Sequence, residues 1–285
     1  MSVKIVIDSA SDITIEKANE LGLIFLPLKT LFGDQEYLDG ITLTHQEFYE
    51  KLIETEVLPS TSQIPPYEYE EVFQKIVDDG DNAVCITLSS KLSGSFQSAN
   101  IAAADFGENI QIVDSASVCI GEQILIQLAV ALRDAGKTAT EIADELNLRK
   151  KDIRVIALLD TLEYLKKGGR ISATTAFAGT LLSIKPVITI EDGAVAILGK
   201  ARGSKNGNNM LIELTEKSGG IDFSMPFSLG YSGLSDALLQ KYIKDSEALY
   251  LGQTASLPIS TIGSTIGTHV GPGAIALAFF AKNKN

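Results

Sequence analysis

Residues 83–107 read AVCITLSSKLSGSFQSANIAAADFG, and this stretch decides the fold class. The apolar run from Ala83 to Thr87 is typical of a buried β-strand, and two serines follow it. The segment from Ser93 to Asp105 then predicts a helix, which Gly107 ends. The stretch is therefore one unit of strand, hydroxyl-rich loop and helix.

The same unit occurs twice more in the first half of the chain. The strand pattern from Lys4 to Ile7 ends in Asp8-Ser9, and the pattern from Ile110 to Val113 ends in Asp114-Ser115. Capping-box pairs mark the starts of two helices: Thr44 with Glu47 and Thr138 with Glu141. Such repetition predicts an α/β fold with a mostly parallel sheet and helices on both of its faces.

The second half has a different pattern. Val187 to Ile190 and Val195 to Leu198 flank Asp192-Gly193, which is a strong signal for a two-residue hairpin. Further strands are predicted at Ser228 to Tyr231, Ser256 to Ile259 and Ala274 to Phe280. We therefore expect two domains: an N-terminal α/β domain over residues 1–150, and a C-terminal α/β domain with a mixed or antiparallel sheet over residues 151–285.

Composition and charge exclude several classes of function. The net charge of −12 argues against nucleic-acid binding and against steady docking on anionic lipid. No run approaches the ~18 apolar residues of a membrane span, and the chain enters a strand pattern at once, so we expect a cytoplasmic protein without a signal peptide. Two cysteines and two histidines at unrelated spacings predict neither a metal site nor a cofactor.

The loops after the predicted strands are the candidate site, because ligands of parallel sheets bind at the carboxyl ends of strands. Ser60-Thr61-Ser62 and Ser93-Gly94-Ser95 are rich in hydroxyl groups. Helix capping explains any one such loop. Several loops at one edge favour an anion cradle, in which Ser93 and Thr61 hold a carboxylate with neutral donors.

Three basic side chains of the second half are further candidates. Arg170 follows two glycines, Arg202 follows a strand, and His269 lies in a glycine-rich segment. A phosphate-handling site and a solvated surface are both open interpretations for them. The sequence contains no nucleophile elbow, but a triad of Ser93, His269 and Asp8 stays open, because triads are set by geometry.

The chain resembles the DegV family, whose members include the fatty-acid-binding subunits of bacterial fatty acid kinase. The resemblance covers nearly the whole chain and rests on several motifs in the same order: Val6 to Ser9, Ser60 to Gln63, Leu92 to Ala99, Asp160 to Ile171, Ile184 to Pro186, Arg202, and Ile266 to Gly273. It implies a two-domain protein with a fatty acid buried between the domains.

The resemblance also implies residue roles. Thr61, Ser93 and His269 match positions at the fatty acid carboxylate, and Arg170 and Arg202 match positions tied to phosphoryl transfer or to the kinase partner. The implied protein is a carrier without cofactor or metal that presents the carboxylate to a separate kinase, which brings ATP. It is not itself an enzyme and inserts into no membrane.

Two segments depart from the family pattern. Ile64-Pro65-Pro66 follows Gln63 where the family has proline and a small residue, and Asn206-Gly207-Asn208-Asn209 forms helices poorly. The first departure bears on the cavity wall near Thr61 and the second on docking of the kinase. Two other functions stay open from the residues alone: a hydrolase or phosphatase that uses Ser93 as nucleophile, and a lipid sensor that regulates a partner.

Overall fold

The structure is a computed structural model that describes residues 2–172, 184–252 and 254–282. The strands in these ranges are β1 (Val3–Asp8), β2 (Leu23–Leu26), β3 (Lys29–Phe32), β4 (Gln35–Leu38), β5 (Ser60–Ser62), β6 (Asn82–Thr87), β7 (Ile110–Asp114), β8 (Ile153–Leu158), β9 (Ile184–Glu191), β10 (Ala194–Arg202), β11 (Phe227–Tyr231), β12 (Ile259–Thr261) and β13 (Ile275–Phe280). The α-helices are α1 (Ile15–Glu20), α2 (His45–Glu54), α3 (Pro66–Asp78), α4 (Ser95–Ala103), α5 (Ile120–Asp134), α6 (Ala139–Arg149), α7 (Glu163–Lys167), α8 (Gly203–Lys217), α9 (Ala237–Asp245) and α10 (Ser264–Val270).

The first half forms the predicted parallel sheet, in the order β2-β1-β6-β7. Both capping boxes are present, at the starts of α2 and α6. Helix α4 begins at Ser95 rather than at Ser93, with Gly94 as its N-cap. Ser93 therefore lies in the loop between β6 and α4, at the carboxyl edge of the sheet.

A small antiparallel sheet in the order β4-β3-β5 lies beside the parallel one. The sequence predicted a loop for Ser60-Thr61-Ser62, and this was wrong, because the three residues pair with β3. Thr61 lies opposite Thr30 in that register. The segment is short and made of hydroxyl residues, so its pairing depends on a distant partner strand rather than on a local pattern.

The second half forms a six-stranded mixed sheet in the order β10-β9-β8-β13-β11-β12. The β9–β10 hairpin is confirmed, and both of its turn residues, Asp192 and Gly193, have positive φ. The strand predicted at Ser256 to Ile259 was wrong in its bounds, since β12 begins only at Ile259 and ends at Thr261. Pro258 immediately precedes it and has no N–H to donate to a ladder.

The two faces of this second sheet bury different sets of side chains. Val155 and Ala157 of β8 face the first half and join its core, whereas Ile156 and Leu158 point the other way, against α8 and α9. One continuous apolar core thus runs from the parallel sheet to the inner face of the second sheet. The chain has the predicted two-domain α/β architecture, and we place the boundary near residue 150, between α6 and β8, as a proposal.

Helix α8 corrects the interpretation of Asn206-Gly207-Asn208-Asn209 as a poor helix former, because all four residues lie inside it. Tertiary contacts override the weak local propensity. A Cβ atom on Gly207 would lie 2.5 Å from the Leu158 side chain, so glycine lets the helix lie close on the sheet. The buried Asn208 donates to Asp245 of α9 at 2.8 Å.

Candidate functional site

A cavity lies between the carboxyl edge of the first half and the inner face of the second sheet. Its walls include Leu28 and Leu88 from the first half, and Ala157, Ile188 and Ala276 from the second. The cavity is narrow, since the centres of water-sized spheres have about 90 Å³ available inside it. Most of the lining side chains are apolar, so the cavity suits an extended apolar ligand.

Four of the polar side chains that line this cavity lie close together, at a place that we call the head end. They are Thr61, Ser93, Arg170 and His269, and they come from four separate segments of the chain. The structure thus brings together four of the five site residues predicted from the sequence. Arg202 is the exception: it is exposed at the end of β10 and is not among the residues that line the cavity.

Thr61 and His269 form the central contact of the head end. Thr61 Oγ1 and His269 Nε2 are 2.9 Å apart, and they are joined by a hydrogen bond between residues 208 positions apart. His269 is buried and lies in α10, near its C-terminal end, while Thr61 lies in the short strand β5. The bond fixes the imidazole against the small antiparallel sheet.

The imidazole is neutral at physiological pH. Burial, together with the nearby Arg170 charge, lowers the pKa of His269 to about 4. A neutral ring has one N–H, and Nδ1 has no hydrogen-bond partner. A proton on Nδ1 would leave a buried N–H without an acceptor. The proton therefore lies on Nε2, which donates to Thr61 Oγ1. The Thr61 hydroxyl proton is then available to a ligand in the cavity.

Gly168 explains why Nδ1 lacks a partner. A Cβ atom at this position would lie 2.2 Å from His269 Nδ1, so the glycine backbone packs directly against the ring. The N–H of Gly168 already donates to the carbonyl of Tyr164 at 2.8 Å. A larger residue at 168 would clash with the His269 ring and push the imidazole away from Thr61.

Ser93 is held in place by the start of α4. Its Oγ accepts the N–H of Ser95 at 3.2 Å and lies 3.1 Å from the Ser95 hydroxyl. Packing requires glycine at position 94, because a Cβ atom there would lie 1.9 Å from Gln63 Oε1. Gln63 also donates to Ser98 Oγ at 3.0 Å. The segment after Thr61 is thereby locked to the loop that carries Ser93.

Arg170 closes the head end with its guanidinium group. Its Nε donates to the carbonyl of Leu92 at 3.1 Å, and its Nη1 donates to the carbonyl of Gly168 at 2.7 Å. Both acceptors are neutral. Desolvation lowers the pKa of Arg170 from its ordinary value, and the guanidinium group stays charged. The head end therefore combines two hydroxyl groups, a neutral imidazole and one positive charge, a set that fits a carboxylate.

The sequence did not identify the residue that holds the helix carrying His269. Asp39 accepts the N–H of Ser264 at 2.9 Å, the Ser264 hydroxyl at 2.7 Å and the N–H of Thr265 at 3.3 Å, all at the start of α10. Ser9 donates to Asp39 Oδ2 at 3.0 Å, the same oxygen that accepts the Thr265 N–H. Asp39-Gly40 looks like an ordinary turn in the sequence, so only the long-range contacts show this role.

The hydrogen bonds do not assemble a catalytic triad from Ser93, His269 and Asp8. Asp8 accepts the backbone N–H groups of Ala10 and Leu88, at 3.0 and 2.8 Å, and His269 is bonded to Thr61. Ser93 has a serine, and no base, as its hydrogen-bond neighbour. This geometry does not favour activation of Ser93 as a nucleophile.

No group of three or more histidine, cysteine, aspartate or glutamate side chains in residues 2–172, 184–252 and 254–282 is arranged to hold a metal ion. In the same ranges, every helix is too short or too polar to cross a bilayer.

Comparison with known proteins adds to this geometry. A family model described as an uncharacterised protein of the DegV family matches residues 2–282. A DegV domain-containing protein of Caldanaerobacter subterraneus is 33% identical, over 98% of this chain and 99% of its own.

Two solved structures are similar over almost their full length. One, described as fatty acid binding of a DegV family protein from Thermus thermophilus, has a TM-score of 0.87 and 29% identity, with 98% of this chain and 100% of that chain covered. The other, a stearic-acid-binding protein from Eubacterium ventriosum, has a TM-score of 0.86 and 28% identity, with 98% and 97% covered. The matched family model and the relative at 33% identity establish that this chain belongs to the DegV family.

Proposed function

We propose that this protein binds one long-chain fatty acid in the cavity, with the carboxylate at the head end. The observation that carries the proposal is a largely apolar cavity in whose wall Thr61, Ser93, Arg170 and His269 lie close together. Similar solved structures are described as fatty-acid-binding proteins, which supports the same assignment here.

The tail supplies most of the affinity in this proposal. Each buried methylene contributes ~0.8 kcal/mol, so a C16 tail gains on the order of 10 kcal/mol before the costs of binding. A charge-assisted hydrogen bond contributes roughly 1.5–3 kcal/mol. We therefore assign affinity to the apolar walls, and orientation of the carboxylate to Thr61, Ser93 and His269.

Orientation matters if the bound acid is a substrate of another protein. We propose that the chain is a carrier in the bacterial cytoplasm that presents the carboxylate to a separate fatty acid kinase, which forms the acyl phosphate. Arg170 lies next to the carboxylate site and would stabilise the charge that develops there. Arg202 would act from the protein surface, toward the kinase or the transferred phosphoryl group.

Native mass spectrometry tests the first part of the proposal. Protein purified from a bacterial host without added lipid should carry about one fatty acid per chain, released on denaturation. An empty protein that also takes up no added fatty acid would contradict the proposal. Turnover of generic esters or phosphates by the pure protein, lost in Ser93→Ala, would support the serine-enzyme alternative instead.

A kinase assay tests the second part. The double variant Ser93→Ala/Thr61→Ala should keep the fold but hold the carboxylate poorly, so that a fatty acid kinase with ATP forms acyl phosphate more slowly. Unchanged turnover in this variant would refute the carboxylate assignment. Fatty acid uptake without phosphorylation by any kinase would favour the lipid-sensor alternative over the carrier.

A further inference from the structure

The wall at the other end of the cavity, the tail end, is formed by one row of side chains on the second sheet. In the β9–β10 register, Val195 lies opposite Ile190, and the β8–β9 register, extended by one pair, places Val155 opposite Ile190. All three side chains line the cavity. The row nearer the head end contains Ala157 and Ile188, which pair across the same strands.

The strands run from the head end to this row. Leu159 follows β8 directly and leads to α7 and Arg170 at the head end, and Val155 lies four residues before it. At ~3.3 Å per residue the distance along β8 is roughly 13 Å. One leaflet of a bilayer, half of a ~30 Å hydrocarbon core, takes up tails of about the same length. A long-chain tail that starts at the head end is therefore long enough to reach this row.

The row is a thin wall. Val155 and Ile190 also line a second hollow, a groove that runs across the outer ends of β8 and β9. Its other walls include Ala116, Ser117 and Lys150 from the first half of the chain. Within the described residues, Val155, Ile190 and the intervening Thr189 line both the cavity and the groove.

The wall is fixed in position by the hairpin next to it. The Ser89 hydroxyl donates to the carbonyl of Gly193 at 2.6 Å, in a buried contact between the two halves. A Cβ atom at Gly193 would lie 2.5 Å from Ser89 Oγ and 3.7 Å from Cα of Ala116, so the turn packs tightly against both loops. The tail end is closed by side-chain bulk rather than by a mobile segment of the hairpin.

We propose that Val155 and Ile190, flanked by Val195, set the longest acyl tail that the cavity accepts, and that the groove behind them receives the end of a longer tail once this wall is thinned. The inference rests on the proposed fatty acid binding and adds its chain-length specificity. Replacing Val155 and Ile190 by alanine removes five carbons from the wall, enough to admit about two more methylenes.

Competition binding with a fluorescent fatty acid tests this proposal, using saturated acids from C14 to C22. In the wild type, affinity should rise about fourfold per methylene and then fall beyond the length that reaches the wall. In Val155→Ala/Ile190→Ala the maximum should move by two or more carbons, with a tenfold or greater gain for the first acid that the wild type rejects. The single variants Val155→Ala and Ile190→Val should give smaller shifts in the same direction.

Ile188→Ala is the matched control, because it removes bulk one row nearer the head end without opening the groove. It should lower affinity at all lengths and leave the maximum in place. A variant that binds fatty acid with an unchanged maximum would overturn the chain-length assignment alone. A wild-type protein that binds none of the acids would overturn the proposed function, so the two failures are distinguishable.

Discussion

The head end and the tail end of the cavity are built in opposite ways. At the head end, Thr61, Ser93, Arg170 and His269 come from four segments; Thr61 bonds to His269, Arg170 to Leu92, and Ser93 to Ser95 at the start of α4. At the tail end, the wall consists of apolar side chains from adjacent strands of one sheet. Hydrogen bonds fix direction and distance, whereas apolar contacts depend mainly on space. In the proposed function, the head end therefore orients the fatty acid, and the tail end limits the length of its tail.

Filling the tail region should have the largest effect on binding. Ala157→Phe places a ring in the apolar space of the cavity, where it displaces several methylenes of the ligand. Each lost methylene lowers the affinity about fourfold. We expect fatty acid affinity to fall at least 100-fold in an equilibrium binding assay, while a thermal melt shows a folded protein. Ala194→Phe makes the same change at an exposed position of β10 and should bind normally. Equal losses in both variants would indicate a general defect and no blocked cavity.

Local sequence patterns predicted what local physics determines. Strands β1, β6 and β7, the two capping boxes and the Asp192-Gly193 hairpin depend on neighbouring residues, and the structure has them where they were expected. The small antiparallel sheet was missed because β5 is only three residues long. Helix α8 was misjudged because its weak Asn-Gly segment is stabilised by contacts with β8 and α9.

The candidate site likewise has features that the local sequence predicts and features that only the fold determines. Hydroxyl-rich loops and a glycine-flanked histidine could be recognised in the sequence, but the Thr61–His269 bond joins residues 208 positions apart and follows only from the fold. The support of α10 by Asp39 is likewise a long-range contact. No motif marks the tail-end wall, because an apolar residue in a strand looks the same whether it lines a cavity or fills a core.

Removing one hydroxyl group at the head end should have an intermediate effect that depends on the charge of the ligand. Thr61→Val keeps the side-chain shape but loses the hydroxyl that bonds His269, and a charge-assisted hydrogen bond is worth roughly 10- to 100-fold in affinity. Affinity for palmitic acid should fall by about this factor. Affinity for its methyl ester, which has no carboxylate, should change less than threefold. Equal losses for acid and ester would mean that Thr61 shapes the wall and does not hold the carboxylate.

Buried carboxyl groups in the first half of the chain should make stability depend on pH. Burial raises the pKa of Asp8 to about 7 and that of Asp12 to about 8, and burial also raises the pKa of Glu122 well above its usual value. Both carboxyl oxygens of Glu122 lack hydrogen-bond partners.

The sign of the pH effect follows from the raised pKa values. A carboxyl group that is protonated in the folded protein and ionised in the unfolded chain stabilises the fold fully below pH ~4, and this contribution is lost as pH rises through 7 and 8. His269 has the opposite shift: near pH 6.5 about half of its imidazole is protonated in the unfolded chain and almost none in the fold, which offsets part of this loss, and the offset vanishes toward pH 8. The free energy of unfolding should fall between pH 6.5 and 8, by on the order of 1 kcal/mol per pH unit.

Urea denaturation at a series of pH values measures this slope. Glu122→Gln removes one group that must ionise on unfolding, so the variant should show a shallower slope and greater stability at pH 8 than the wild type. Glu16→Gln, in the first turn of α1, is a suitable control at a carboxyl group outside the buried cluster. A wild-type protein that is more stable at pH 8 than at pH 6.5 would show that these groups are ionised in the fold.

The smallest effect on binding is expected for Arg202. It is exposed at the end of β10 and is not among the cavity-lining residues, whereas Arg170 lies at the head end itself. Arg202→Ala should change fatty acid affinity less than twofold and yet slow acyl-phosphate formation by the kinase. Arg170→Ala should affect both, since its bonds to Leu92 and Gly168 support the site. Loss of fatty acid binding in Arg202→Ala would contradict this division of roles, because an arginine outside the cavity would then be part of the head end.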